Sequence, residues 1–138
     1  QYKKVIVVGR SKLVGAPIAT LIKNLGAQVT VCHSKTEDLA SETKIAELLI
    51  VAVGKPNLIT KNHVSPNQIV VDVGISVINN YEPPTMDHKR TLVGDVAFDE
   101  VSQIVAAITP VPGGIGPLTI ASLFENLLEA YKNQGLLI

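Results

Sequence analysis

The chain has 138 residues, 46% of them apolar, with twelve Lys and Arg against twelve Asp and Glu. That length suits one domain with one core, and the balanced charge excludes the broad basic face of a nucleic-acid binder or of a protein drawn to anionic membranes. A single Cys32 excludes an internal disulfide and a cysteine-built metal site, and no apolar run reaches the roughly 18 residues that span a bilayer, so we read a soluble protein of a reducing compartment, cytoplasmic or mitochondrial, without a metal.

The chain opens on Gln1-Tyr2-Lys3-Lys4 rather than Met and enters a strand at once, which reads as a piece of something longer. Four β-branched runs of strand length end in turn signals: "KVIVVG" (4–9), "AQVTVC" (27–32), "ELLIVAVG" (47–54) and "QIVVDVG" (68–74). Between the first two, "GAPIATLIKNLG" carries Ile18, Leu21, Ile22 and Leu25 at helical spacing, with Pro17 in its first turn and Gly26 as its stop. "TEDLASETKIA" (36–46) predicts a second helix capped by Thr36 or Asp38, and "TKNHV" (60–64) a single turn. "NNYEPPTMDHKR" (79–90) predicts an exposed loop. Then come a short strand "TLVGDV" (91–96), a short helix over 98–105, a last strand with a Pro/Gly loop in "AAITPVPGGIG" (106–116), and a helix over 118–132. Alternating strands and helices predict an α/β domain: a doubly wound, Rossmann-like parallel sheet with helices on both faces. Along the last helix, Leu123, Phe124, Leu127, Leu128 and Tyr131 belong to an apolar arc wider than the stripe of about 100° that packing on one side requires. Either a groove of its own domain covers that arc, or one edge of it is meant for another domain or another copy.

In such a sheet, ligands lie beyond the carboxyl ends of the strands where the strand order reverses. The runs close on Gly9, Gly54 and Gly74, and the last leads into Gly113, Gly114 and Gly116, so one rim is repeatedly bare of side chains. The first turn, Gly9-Arg10-Ser11-Lys12-Leu13-Val14-Gly15, departs from G-x-G-x-x-G by placing Ser11 and Val14 where glycines would stand. It still follows a strand and opens a helix, whose first N–H groups favour an anion. Ser11 suits a cap, a phosphate ligand, or both. An NAD site places an Asp or Glu roughly 20 residues beyond the turn to take the ribose hydroxyls. "VCHSKT" (31–36) has no acid there; it offers His33, Ser34, Lys35 and Thr36, with Arg10 nearby. Donors and positive charge suit a 2′-phosphate, so NADP is expected over NAD. His33, His63 and His88 have no carboxylate at a useful spacing, and none reads as a general base; His63 and His88 read as surface residues.

The motifs "VVGRSKLVGAP", "VTVCHSKT", "LLIVAVGKP", "VVDVGI", "LVGDVAFDEV" and "ITPVPGGIGPLT" occur in an order that resembles the C-terminal cofactor-binding domain of the methylenetetrahydrofolate dehydrogenase/methenyltetrahydrofolate cyclohydrolase family. They span nearly the whole chain. Ile115 and Leu118 replace the usual Val and Met, and the 79–90 loop is longer than in the shortest members. The resemblance implies that Gly9, Arg10 and Ser11, with Val14 behind them, wrap the pyrophosphate and adenosine ribose. It implies that Ser34 and Arg10, flanked by His33 and Lys35, take the 2′-phosphate, and that Gly54, Ile75, Gly116 and Thr119 line the nicotinamide half, with Val53 and Gly74 also among the cofactor-binding residues. Pro110, Val111, Pro112, Gly113 and Gly114 would form the wall shared with folate.

The resemblance further implies an enzyme of one-carbon metabolism that moves hydride from 5,10-methylenetetrahydrofolate to NADP and hydrolyses the methenyl product, homodimeric when intact. In the family, the cyclohydrolase lysine of a Tyr-x-x-x-Lys helix and most folate contacts lie in an N-terminal domain. Tyr2 has no lysine four residues on, so it is no substitute. Residues 1–138 therefore read as one NADP domain lacking catalytic residues and inactive alone. Two other readings share the architecture: a non-catalytic NADP sensor, and an NADP-linked shikimate-type dehydrogenase domain. Neither needs the "TPVPGGIG" wall.

Overall fold

β-branched residues crowd a helix but lie well on a pleated surface, and the four runs rich in them become the centre of the structure. The computed structural model describes residues 4–80 and 89–134. In chain order the elements are β1 (Lys4–Val8), α1 (Gly15–Asn24), β2 (Gln28–Cys32), α2 (Leu39–Lys44), β3 (Leu48–Val51), a 3-10 turn (Lys61–His63) and β4 (Ile69–Asp72). There follow β5 (Ser76–Asn80), β6 (Lys89–Val93), α3 (Phe98–Val101), β7 (Ala107–Ile108) and α4 (Ile115–Asn133). The main sheet is wholly parallel in the order β2-β1-β3-β4-β7. β1 reaches β2 through α1 on one side, and β2 returns past β1 to β3 through α2, so the order reverses between β1 and β3. This is the doubly wound α/β architecture the alternation predicts.

Register sorts the side chains onto two faces. Val5 lies level with Val29 and Leu48, and Val5, Val7 and Ile50 pack with Ala19, Ile18 and Ile22 of α1. On the other face Ile6, Val8, Leu49, Val51 and Val70 pack with Ile59, Val64, Val96 and Val101. Each such buried side chain contributes about 1.5 to 3 kcal/mol of hydrophobic stabilisation. Asp38 caps α2 by accepting from the Ser41 N–H at 3.0 Å, while Thr36 Oγ1 accepts from the His33 N–H instead. His63, read as a surface residue, is half-buried and forms a capping box with Thr60. His88 and Tyr2 lie outside the described residues.

The structure differs from the sequence reading between β4 and α4. The 91–96 run does not form one strand: Thr91–Val93 belong to β6, paired antiparallel with β5 as a separate two-stranded ribbon. Asn79, Asn80, Lys89 and Arg90 are strand residues rather than loop, and 81–88 lie outside the described residues. The amides of Asp95 and Val96 are taken by the Asp72 carboxylate, and β7 holds the place beside β4. The short helix α3 ends at Val101 rather than 105, and α4 begins three residues early. None of the α4 residues is buried; Leu123, Phe124 and Leu127 are 67%, 65% and 64% exposed. The domain's own groove does not cover the arc.

Candidate functional site

Two clefts lie along the carboxyl edge of the sheet. The first, about 440 Å³, spans the ends of β2, β1 and β3 and is lined by Gly9, Arg10, Ser11, His33, Ser34, Thr36, Leu39, Ala52, Val53, Lys55 and Leu58, with Val8 at its floor. Its size is that of a small-ligand pocket. Among the described residues its wall contains two cations, a histidine and hydroxyls, and no carboxylate.

Local chemistry builds this wall. Gly9 has φ of +121° and donates its N–H to the Cys32 carbonyl at 2.9 Å; a Cβ there would strike the Ala52 carbonyl. Only glycine lets the turn leave β1 this close to β3. Ser11 Oγ accepts from the N–H groups of Val14 (3.2 Å) and Gly15 (3.3 Å), so it caps the start of α1. Its hydroxyl proton is still available to donate. Residues 33–36 form a tight turn in which Thr36 N–H donates to the His33 carbonyl and Lys35 N–H donates to His33 Nδ1. The neutral ring therefore carries its proton on Nε2, as a donor. Burial pushes the Cys32 thiol up, the nearby Glu42 carboxylate adds to this, and a hydrogen bond with Thr36 partly offsets it. Cys32 is thus a packing residue rather than a nucleophile.

The second cleft, about 560 Å³ and mainly apolar, lies between residues 72–75 and the segment 110–120. Thr109 Oγ1 accepts from the Asp72 N–H at 2.8 Å and ties the segment to β4. Gly116 faces open space, and the Thr119 hydroxyl donates to the Ile115 carbonyl within α4. The Val111–Pro112 bond is cis. Among the described residues of this wall, the one titratable side chain is Asp72.

Two buried carboxylates hold the rim between the clefts. Asp72, 3% exposed, accepts from Gly74 N–H (2.9 Å) and Asp95 N–H (3.1 Å) at Oδ1 and from Val96 N–H (2.9 Å) at Oδ2. Burial raises its pKa; the three N–H donors oppose that, and Asp95 reinforces it. Asp95, fully buried, accepts at Oδ2 from Val53 N–H (2.6 Å) and Gly54 N–H (2.9 Å); its Oδ1 has no partner among the described residues. The pair pins the ends of β3 and β4 to the segment 94–96. A Cβ at Gly74 would overlap the Asp95 carboxylate, and one at Gly94 the Asp72 carboxylate. Sequence reasoning missed this pair. Its signal was an acid within each apolar run, "VVDVG" and "VGDV".

Of the residues singled out in the sequence, Gly9, Arg10, Ser11, His33, Ser34 and Val53 come together in the first cleft. Gly74, Ile75, Gly116, Thr119 and Pro110 to Gly114 come together in the second. Val14, Lys35 and Gly54 line neither cleft. The Val14 N–H turns to Ser11, the Gly54 N–H to Asp95, and Lys35 is exposed on the tight turn. Thr36 of the donor cluster also lines the first cleft, and missed there are Val8, Leu39, Ala52, Lys55 and Leu58.

Comparison with known proteins is consistent with this geometry. The family model described as "Tetrahydrofolate dehydrogenase/cyclohydrolase, NAD(P)-binding domain" matches residues 1–135. The bifunctional protein FolD of Methanospirillum hungatei is 51% identical over 132 residues, which cover 96% of this chain and 44% of that protein. The cytoplasmic C-1-tetrahydrofolate synthase of Spodoptera frugiperda is 44% identical over 96% of this chain and 14% of its own length. Among solved structures, the bifunctional FolD of Campylobacter jejuni superposes with a TM-score of 0.84 at 47% identity, covering 96% of this chain and 44% of that one. The Trypanosoma brucei FolD, solved with NADP cofactor and an inhibitor, superposes at 0.85 with 38% identity and the same coverage. The chain therefore spans less than half the length of these relatives.

Proposed function

Because the chain belongs to the tetrahydrofolate dehydrogenase/cyclohydrolase family, as its NAD(P)-binding domain, we propose that it holds NADP along the two clefts and presents the nicotinamide to a folate bound mainly by the rest of a longer protein. The observation that carries the NADP reading is the wall of the first cleft: Arg10, His33, Ser34 and Lys55, with no carboxylate among the described residues. Arg10 and Ser34 take the 2′-phosphate, Ser11 and the start of α1 take the pyrophosphate, and Leu39, Val53 and Leu58 flank the base. Ile75, Gly116 and Thr119 bound the nicotinamide. The residues fit the group, since the clefts are of ligand size, Gly9 lets the first turn close against β3, and Gly116 leaves the backbone of the second cleft open to it. The bound nicotinamide supplies a hydride acceptor for 5,10-methylenetetrahydrofolate. This chain's share is binding and orientation. In a calorimetric titration NADP binds at least about tenfold more tightly than NAD, the worth of a charge-assisted phosphate contact. Equal affinities would overturn the NADP assignment.

The same reading extends to a homodimeric bifunctional enzyme of one-carbon metabolism in the cytoplasm. Its cyclohydrolase chemistry lies outside this chain, because the second cleft offers no free acid or base among the described residues. The rest of the longer protein covers the apolar side of α4, as the exposure of Leu123, Phe124 and Leu127 supports. Left bare in the 138-residue chain, a patch of that kind recruits a partner. Light scattering will give a mass above the monomer that rises with concentration; a strict monomer at high concentration contradicts this.

A further inference from the structure

We propose that Lys55 is the second cation of the 2′-phosphate site and, with Arg10, sets the preference for a 2′-phosphorylated dinucleotide. The inference rests on the NADP reading above and adds a residue to it. Three adjacent strands deliver polar groups to the first cleft: β2 through Ser34, β1 through Arg10, and β3 through Lys55. A phosphate monoester carries a charge of about −1.5 to −2 near neutral pH, so Arg10 alone leaves roughly half of it uncompensated. Lys55 is the other cation in that wall, and among the described residues no carboxylate pairs with it.

The turn that carries Lys55 is fixed. Val53 N–H and Gly54 N–H are held by the buried Asp95 carboxylate at 2.6 and 2.9 Å. Just beyond, Asn57 N–H donates to the Gly94 carbonyl at 3.2 Å and Ile59 N–H to the Asp95 carbonyl at 3.0 Å. A lysine whose main chain is anchored on both sides loses less freedom on meeting a phosphate than one on a loose loop. Lys35, the neighbour of Ser34 in sequence, stands outside the cleft wall. Sequence adjacency therefore points to the wrong lysine.

The test is calorimetric titration of the wild-type chain, K55Q and K35Q with NADP and with NAD, glutamine keeping much of the stem while removing the charge. In K55Q the affinity for NADP falls about five- to tenfold and that for NAD less than about twofold, while K35Q stays within about twofold of wild type for both. Unchanged NADP affinity in K55Q, an equal loss for the two cofactors, or the larger loss in K35Q would overturn the proposal. A wild-type chain with no preference for NADP would overturn the cofactor reading itself, and Lys55's role with it, before any variant is read.

Discussion

Supplied with NADP and 5,10-methylenetetrahydrofolate, the purified 138-residue chain will form methenyltetrahydrofolate at least about a thousandfold more slowly than a full-length relative. Holding two reactants in line contributes about 7 to 11 kcal/mol to a bimolecular step, and this chain holds one of the two. The second cleft is walled by Asp72 to Ile75 on one side and the 110–120 segment on the other, and supplies apolar surface and backbone. Both Asp72 oxygens are occupied by N–H groups from Gly74, Asp95 and Val96, which leaves them poorly placed to orient a pterin or move a proton. Absorbance at the methenyl product's band measures the rate. Turnover comparable to that of a full-length relative would show that the folate site lies within this chain.

Arg10→Ala will weaken NADP binding by about 2 to 3 kcal/mol, roughly 30- to 150-fold, and NAD binding by much less. Arg10 follows Gly9 directly, on the turn that only a positive φ allows, and Ser11 then caps α1. The guanidinium is thus rooted in a rigid corner, and its planar donors suit a phosphate better than a point charge does. Because the side chain is exposed and makes no hydrogen bond among the described residues, the variant should melt at the wild-type temperature. A loss of NADP affinity accompanied by an equal loss for NAD would assign Arg10 to the pyrophosphate instead. Titration of both cofactors against both proteins separates the two.

The parts of this fold legible in the sequence are those where a single local rule acts alone. β1 to β4 are runs of Val, Ile and Leu ending in turns, and α1 is an amphipathic pattern with a proline start and a glycine stop. Legibility fails where tertiary partners override local preference. "GDV" has strand composition, yet Asp95 and Val96 give their N–H groups to Asp72 and leave the ladder. β5, "SVINN", is too short and polar to announce itself, and exists through its pairing with β6. The cleft wall is legible where it lies on one turn: Gly9, Arg10 and Ser11 all line the first cleft. It is less legible where contributions cross between strands: "GKP" after β3 looks like a turn and nothing more, and its lysine joins the cleft wall through a strand order the sequence does not state. Gly74 was read for its bareness toward a ligand, whereas the Asp95 carboxylate packed against it is a reason of its own.

The central claim is that one rim holds one dinucleotide, its phosphorylated adenosine half between β2, β1 and β3 and its nicotinamide half beside the 110–120 segment. Amide chemical-shift mapping of the chain with the two halves of the cofactor tests this most directly. Adenosine 2′,5′-bisphosphate should shift the amides of Gly9, Arg10, Ser11, Ser34 and Lys55, nicotinamide mononucleotide those of Ile75, Gly116 and Thr119, and NADP both sets at once. Shifts from the bisphosphate that fall on the second cleft, or NADP shifts confined to residues away from both clefts, would contradict the account.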